Sequence, residues 1–282
     1  MSIVRKCFGF GRMLAAASLL VGPMAAQAAV TVALAASNLT PVAGGGAFGY
    51  TVTLANPDAG TATNVVMTLP LPPGIWFANL GVGGAQAGAF SCVGPGVGEN
   101  GSVVCRSASF VAGGAVTVDV VVTVDADLAG GIRTATARVV AGGNQNAASR
   151  QITLQNDANS ALALAASDAA QPGGTASLLA TIVNNGSASA INSNFSMALP
   201  AEVRFTSIYG TGAFADACSY SPDTRVIFCS MSRVPTGLHQ LTLTVDVSPA
   251  QPQGTAQFSA TLTSGAGAVS GSPAAASIAI EP

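Results

Sequence analysis

Apolar and polar residues alternate one by one along most of the chain after its first 28 residues. In 48–54, Phe, Tyr, Val and Leu take one parity and Gly and Thr the other, and 115–124 and 132–140 alternate in a similar way. A β-strand turns successive side chains to opposite faces, so this period predicts strands. Turn clusters such as 43–46 and 142–144 separate them every 8 to 12 residues or so. The pattern predicts an all-β fold of antiparallel sandwiches.

The first 28 residues show a different pattern. Three basic residues lie within the first 12, an apolar run follows at 13–21, and Ala26-Gln27-Ala28 places small residues where a signal peptidase cleaves. The apolar run is too short to span a bilayer, which needs about 20 residues in a helix. We therefore predict a cleaved signal peptide at 1–28 and a mature chain that begins at Ala29. An uncleaved, buried helix is the alternative.

The mature chain contains an internal repeat. Pro41 and the glycines after it correspond to Pro172-Gly173-Gly174, and the strands that follow end at Asn56-Pro57 and at Asn184-Asn185-Gly186. Further matches, in chain order, are Met67-Thr68-Leu69-Pro70 with Met197-Ala198-Leu199-Pro200, Ile75-Trp76-Phe77 with Val203-Arg204-Phe205, and Val122-Thr123-Val124-Asp125 with Leu243-Thr244-Val245-Asp246. The repeat predicts two domains, 29–157 and 158–282, which meet at the junction 156–160.

The order of these features resembles the bacterial surface repeat known as domain of unknown function eleven. The shared elements are a long Thr/Val strand that ends in Asn, a strand that closes in Leu-Pro, a Cys-bounded hairpin and a Val/Thr/Asp strand. The resemblance covers nearly all of the mature chain, twice. It implies two tandem immunoglobulin-like sandwiches in a secreted or envelope-attached protein without assigned catalysis. One departure is the turn Leu71-Pro72-Pro73-Gly74, which is longer than the family's turn.

Four cysteines lie at equivalent places in the two repeats. Cys92 and Cys105 bracket twelve residues, and Cys218 and Cys229 bracket ten. In an exported chain such pairs indicate structural disulfides. Only the local pairing, Cys92–Cys105 and Cys218–Cys229, respects the repeat. A redox or metal site is the alternative, but the chain has no CxxC and a single histidine.

Candidate catalytic groups are few. His239 is the sole histidine and lies in a turn that leads into a strand, so we expect a surface or turn histidine without a catalytic role. Asp125 and Asp127 are two apart at a strand end, where we expect solvated carboxylates rather than a glycosidase pair. We predict no enzyme activity and no cofactor.

A cation at the domain junction is a weaker hypothesis. Asp157 and Asn159 offer hard oxygen donors there, as Ca²⁺ prefers. That run has one carboxylate, whereas tight sites use several, and Asn and Asp are also common turn residues. We predict no metal, with Asp157 and Asn159 as the candidates for one.

The charge of the mature chain argues against two classes of partner. Ten basic residues less three in the leader leave seven, all Arg, against twelve acids, which gives the mature chain a net charge of −5. Without a basic patch in the sequence, neither nucleic acid nor an anionic membrane is expected as a partner.

Trp76 is the candidate contact residue. It lies between Ile75 and Phe77 as Arg204 lies between Val203 and Phe205. Because an unpaired Arg is rarely buried, the parity of Arg204, and with it that of Trp76, faces outward. An exposed Trp is a favoured contact anchor. The alternative is that the glycine-rich run 81–88, or the cysteine hairpin, covers the indole.

These observations predict an exported, non-catalytic spacer or adhesion-type protein of the periplasm, cell surface or extracellular space. Its expected partner is an envelope or extracellular protein or glycan, and no transmembrane anchor is expected in the mature chain. The alternative is a carbohydrate-binding module of an exported polysaccharide-processing system. Such modules normally show exposed aromatic residues, and this chain has one Trp and three Tyr.

Overall fold

The computed structural model describes residues 28–167 and 169–281 of the 282-residue chain. The predicted signal peptide, apart from Ala28, lies outside these residues. The strands of the first repeat are β1 (Thr31–Ala36), β2 (Phe48–Ala55), β3 (Ala62–Pro70), β4 (Ile75–Gly83), β5 (Ser91–Val93), β6 (Ser102–Phe110), β7 (Ala115–Val124), β8 (Gly131–Ala141) and β9 (Asn144–Leu154). Those of the second are β10 (Asn159–Ala166), β11 (Ala169–Ala170), β12 (Thr175–Asn184), β13 (Ala190–Ala198), β14 (Val203–Gly210), β15 (Cys218–Ser221), β16 (Val226–Val234), β17 (Gly237–Val247), β18 (Gly254–Thr263), β19 (Ala268–Ser270) and β20 (Ala274–Ile280). Single 3₁₀ turns occur at Ala87–Ala89 and Gly212–Phe214.

The alternating segments form strands with one buried face. Along β2, Phe48, Tyr50, Val52 and Leu54 are buried, and the Gly, Thr and Ala residues between them are half-buried. β7 repeats the arrangement, with a buried Val at every second position from 116 to 124. These buried faces form the core between two sheets, which confirms the predicted all-β fold class.

The first repeat has the strand order of an immunoglobulin constant-type domain. One sheet runs β1-β2-β7-β4 and the other β5-β6-β3-β8-β9. With β1, β2, β7 and β4 as strands A, B, E and D, and β3, β8 and β9 as C, F and G, both sheets match the immunoglobulin order. The additional hairpin β5–β6, which carries the cysteines, pairs with β3.

The second repeat follows the same order, with one further short strand at an edge of each sheet, β19 beside β10 and β11 beside β20. Its sheets run β14-β17-β12-β10-β19 and β11-β20-β18-β13-β16-β15. Among the described residues, each sheet takes its strands from one side of the linker 155–158 only. The two tandem immunoglobulin-like sandwiches are therefore confirmed, while the cut between 157 and 158 stays a prediction.

The strand register corrects one match between the repeats. Ile75 pairs with Val124, and Val203 pairs with Val247, so Val247 is the counterpart of Val124. The sequence comparison had matched Val124 with Val245, two residues away. A shift of two keeps every side chain on the same face, so the alternating pattern is equally good in both registers.

The Leu-Pro segment needs the same correction. The Leu71 N–H donates to the Gly101 carbonyl, and the Leu199 N–H donates to the Arg225 carbonyl, so these leucines are counterparts. The match of 67–70 with 197–200 was again two residues out of register. In the structure the turns 71–74 and 199–202 have equal lengths.

Two disulfides close the cysteine hairpins in the predicted pairing. Cys92 is bonded to Cys105 with an S–S distance of 1.99 Å, and Cys218 to Cys229 with 2.07 Å. Each links the outermost strand of a sheet to its neighbour. Loops of this size constrain the unfolded chain by about 3 kcal/mol each in the entropic model.

A buried asparagine ends the second long strand of each repeat. The Asn56 amide donates to the carbonyls of Gly60, at 2.8 Å, and Phe110, at 2.9 Å. The Asn184 amide donates to those of Ala188 and Val234, at 2.8 and 3.0 Å. Both side chains are buried, and each satisfies one carbonyl of the following turn and one at the end of a neighbouring strand, β6 or β16.

Candidate functional site

The two sandwiches meet end to end around the linker 155–158. Small side chains make the contact, and those of Ala43, Ala158, Ala188 and Ser189 are buried there. Glycines bring the backbones still closer. A Cβ at Gly44 would lie 2.1 Å from the Ser187 carbonyl oxygen, and one at Gly186 would lie 2.2 Å from that of Asp157. The two ends therefore pack without space for larger side chains.

Asp157 binds the linker to the turn between β12 and β13 of the second sandwich. Its Oδ1 accepts hydrogen bonds from the Ser187 N–H at 3.1 Å, the Ser187 hydroxyl at 2.7 Å and the Ala188 N–H at 3.1 Å. The Ser187 hydroxyl also lies 3.1 Å from the Ala43 carbonyl of the first sandwich. This carboxylate oxygen thus has three donors from the protein itself.

Ser189 and Asn156 make direct bonds between the sandwiches. The Ser189 N–H donates to the Ala126 carbonyl at 3.0 Å, and its hydroxyl donates to Asp127 Oδ1 at 2.5 Å. The Asn156 amide donates to the Ser189 carbonyl at 3.0 Å. Ser189 is buried, so these bonds are shielded from water.

Asp127 also forms an ion pair with Arg233, from β16. The expectation that Asp125 and Asp127 are solvated strand-end acids is wrong for Asp127. The Asp125 carboxylate accepts from the Asp127 N–H at 2.9 Å, which holds the turn that presents Asp127 to the second sandwich. The Arg233 side chain is 57% exposed, so the ion pair contributes about 0–1 kcal/mol.

Of the two candidate cation ligands, Asp157 has protein partners for its carboxylate. Asp157 is bonded as described, and the Asn159 backbone N–H donates to the Asn184 side-chain oxygen at 3.0 Å. In the part of the chain that the structure describes, no three His, Cys, Asp or Glu side chains lie together as a metal site would require. A cation bound by Asp157 and Asn159 stays a prediction.

His239 is buried in strand β17, so the expectation of a surface or turn histidine is wrong. Its Nδ1 accepts from the Ala213 N–H at 3.0 Å, which leaves the proton on Nε2, 2.8 Å from the Pro235 carbonyl. The ring thereby links the 3₁₀ turn at Gly212–Phe214 to the turn before β17. Both ring nitrogens are therefore used in hydrogen bonds that hold these two turns.

Trp76 has the parity that the sequence predicts. Ile75 and Phe77 are buried while Trp76 is half-buried, and its counterpart Arg204 is exposed. Trp76 pairs across the sheet with Thr123. The indole therefore lies on the outer face of the sheet β1-β2-β7-β4. Among the described residues that pack against the core, Trp76 is not one.

Ser187, Ser189 and Arg233 at the junction were not predicted from the sequence. One signal was present. Arg233 has Ser109 as its counterpart in the first repeat, and Asp127 has Ala250 in the second, so each charge occurs at one of two equivalent places. Finding this signal required the correct register between the repeats, which the structure supplied.

No protein-family model matches the chain, and no curated protein matches its sequence. The likeness to domain of unknown function eleven stays a prediction. In the described residues, no helix has the length and apolar character needed to cross a membrane.

Several solved structures are similar in outline. The C-terminal domain of the antigen I/II-family protein AspA of Streptococcus pyogenes is 9% identical, with 91% of this chain and 100% of that chain covered and a TM-score of 0.35. The C-terminal domain of the Streptococcus agalactiae AgI/II polypeptide BspA is 8% identical, with 90% and 100% covered and a TM-score of 0.34. The collagen adhesin of S. aureus is 9% identical, with 88% and 91% covered and a TM-score of 0.33. Scores at this level carry no inference about function.

Proposed function

We propose that this chain is an exported, non-catalytic structural and interaction protein whose two sandwiches act as one stiff unit. The observation that carries the proposal is the junction, where buried small residues and direct hydrogen bonds join the two sandwiches. A spacer sets a distance and an orientation between what it is attached to and what it presents. Stiffness at the junction is the property that such a role needs.

The junction bonds are strong enough together to resist bending. A typical hydrogen bond contributes about 0.5–1.5 kcal/mol net, and several must break before the sandwiches can rotate apart. Domains within one chain move relative to each other by default unless their interface is extensive. Here Ser189 and Asn156 link the two ends directly, and Asp157 holds the linker between them. We therefore expect a single orientation in solution.

Residual dipolar couplings of the mature chain test this orientation. If the sandwiches form one body, couplings from both fit a single alignment tensor. Gly186→Asp introduces the residue that the first repeat carries at the equivalent place, Asp58, and its Cβ would meet the Asp157 carbonyl oxygen. In this variant, the couplings from the two sandwiches should require two different alignment tensors.

Gly46→Ala is the matched control, because an added Cβ there meets nothing within 4 Å. Its couplings should still fit one tensor. Two independent tensors in the unmodified chain would contradict the proposal of a stiff spacer.

Trp76 is the proposed contact residue of this module, for an envelope or extracellular protein. It is a large apolar side chain on a sheet face that also carries Gly49, Thr51 and Thr117. Aromatic anchors of this kind supply much of the energy at protein interfaces.

Fluorescence reports on Trp76 directly, because it is the only Trp in the chain. We expect a red-shifted emission that acrylamide quenches readily, as an outward indole gives. Trp76→Arg, the residue of the second repeat, should leave the melting temperature nearly unchanged. A blue-shifted, protected emission would place the interaction site elsewhere.

A further inference from the structure

The outer face of the sheet β5-β6-β3-β8-β9 carries an unusual set of side chains. Pairing across the five strands aligns two rows of outward residues. The first row is Ser91, Arg106, Val66, Val140 and Gln145, and the second is Val93, Val104, Thr68, Arg138 and Ala147. We call these two rows the Val–Arg face.

The valines of the Val–Arg face are accessible. Val93 is 67% exposed and Val140 is 37% exposed. A shallow hollow of about 250 Å³ lies among Val93, Val104 and Arg106, and another of about 140 Å³ lies beside Arg138 and Val140. Apolar side chains therefore line the space next to each arginine.

The two arginines are exposed and have no acidic residue beside them in the two rows. No ion pair among the described residues includes Arg106 or Arg138. None of the ten residues of the two rows is Asp or Glu. Arg106 lies on β6 and Arg138 on β8, with β3 between them, which separates the strands by about 10 Å. This face is locally positive on a chain whose net charge is negative.

The second repeat shows that the sandwich does not require these residues. The counterparts of Arg106 and Arg138 are Ser230 and Thr261. At the places of Val66, Val93 and Val140 the second repeat has Asn194, Ser219 and Thr263. Hydroxyl and amide side chains thus take these five places on the same fold, whereas Val104 has an exposed apolar counterpart, Phe228. The two arginines and Val66, Val93 and Val140 of the first repeat therefore need another explanation than stability.

We propose that the Val–Arg face binds a protein segment that carries carboxylates among aliphatic side chains. A guanidinium binds a carboxylate through two parallel hydrogen bonds, and the exposed valines offer apolar area beside it. The two rows contain no aromatic residue on which a sugar could stack. Two arginines are too few for the basic stripe of a nucleic-acid site. The inference names a partner class for the proposed interaction module and so rests on that proposal.

An acidic peptide tests the proposal. In an extended peptide of about 12 residues that repeats Glu-Ser-Val-Ser, glutamates recur on one face about every 13–14 Å. The two arginines lie on strands about 10 Å apart and are offset by two residues along them, so their long side chains can reach two such glutamates. The ¹⁵N-labelled mature chain is titrated with this peptide, with its Gln-Ser-Val-Ser analogue and with a polyuronate. We expect amide shifts at Arg106, Arg138 and Val140 with the glutamate peptide, reduced by added salt.

The matched variant is Arg106→Ser with Arg138→Thr, which uses the residues of the second repeat. Affinity for the glutamate peptide should fall about tenfold or more, which corresponds to the loss of charge-assisted hydrogen bonds. Arg204→Ser, an exposed arginine of the second repeat, is the control and should bind as the unmodified chain does.

Three results would overturn the proposal: no binding of the glutamate peptide, equal binding of the glutamine analogue, or tighter binding of the polyuronate. Dipolar couplings measured on the same samples separate this failure from a failure of the spacer proposal. If the chain does not bind the peptide but its couplings still fit one alignment tensor, the proposal for the Val–Arg face is refuted and the spacer proposal is not.

Discussion

The two sandwiches hold the same turn with different side chains. In the first, the Asn100 amide donates to the carbonyls of Pro72 and Ile75, both at 2.9 Å. In the second, the Arg225 guanidinium donates to the equivalent carbonyls of Pro200, at 2.5 Å, and Val203, at 2.6 Å. The backbone leaves the same acceptors unpaired in both repeats, and any donor that reaches them satisfies the turn.

At one core position the first repeat carries a polar group that the second repeat lacks. Tyr50 is fully buried and its hydroxyl has no hydrogen-bond partner among the described residues, whereas its counterpart, Leu178, is apolar. Burial raises the pKa of Tyr50 to about 12. The fold therefore needs an apolar side chain of this size here, and the hydroxyl is a cost that the second repeat does not carry.

Positions that differ between the repeats divide into two kinds. Asn100 and Arg225 perform one structural task in two ways, whereas the arginines of the Val–Arg face have the hydroxyl counterparts Ser230 and Thr261. Comparing the repeats thus separates what the sandwich requires, such as Asn56 and Asn184, from what its surface adds.

Removing one disulfide should produce the largest difference between the repeats. Cys218→Ala with Cys229→Ala should destabilise the second sandwich by about 3 kcal/mol, because the reduced chain gains conformational entropy when unfolded. Hydrogen exchange should show lost protection in β12 and β17, while β2 and β7 change only by the loss of junction contacts. An equal loss of protection in both repeats would show that the two sandwiches unfold as one unit.

Asn184→Ala should cost somewhat less. The change leaves the Ala188 and Val234 carbonyls without a donor and removes the acceptor of the Asn159 N–H. We expect about 2–3 kcal/mol, since each buried polar group left unpaired costs about 1–3 kcal/mol. Asn56→Ala in the first repeat should give a similar loss in urea unfolding. A loss below about 1 kcal/mol in either would show that water replaces the amide.

Tyr50→Phe should stabilise the first sandwich at neutral pH by about 1 kcal/mol, because it removes an unpaired buried hydroxyl. It should also remove a pH dependence. Between pH 10 and 12 the unfolded Tyr50 releases its proton while the folded one retains it, so stability falls as the pH rises through this window. Below pH 10 the full free energy of unfolding remains, and above pH 12 the loss of that free energy reaches about 2.7 kcal/mol.

Urea unfolding at pH 8 and 11 measures both effects. Tyr209→Phe is the control, since Tyr209 is 70% exposed, and it should change neither value. A Tyr50→Phe chain that keeps the alkaline loss of stability would assign that loss to another group.

Metal removal should have the smallest effect. Asp157 Oδ1 already has three protein donors, so we expect a chelator to leave the melting temperature of both sandwiches unchanged. Added Ca²⁺ should also have no effect. A rise with Ca²⁺ that Asp157→Asn abolishes would establish the cation site instead.

Much of the fold could be predicted because its signals are local. The alternation at 48–54 and 115–124 forms β2 and β7, and the equivalent cysteines pair as the repeat requires. The outward parity of Trp76 followed from the pattern of Arg204. The junction network could not be predicted, because Ser189 and Arg233 contact residues about 60 and 106 positions away, where no local pattern extends.

The sequence by itself determined the strands, their buried faces, the repeat and the disulfide pairs, since each depends on neighbours in the chain or on a period of two. Only the tertiary structure decided which residues lie opposite one another. Val247 rather than Val245 is the counterpart of Val124, His239 is buried, and Asp127 meets Arg233 across the junction. A two-residue shift preserves the alternation, so the choice of register, and with it every contact between strands and between sandwiches, belongs to packing in three dimensions.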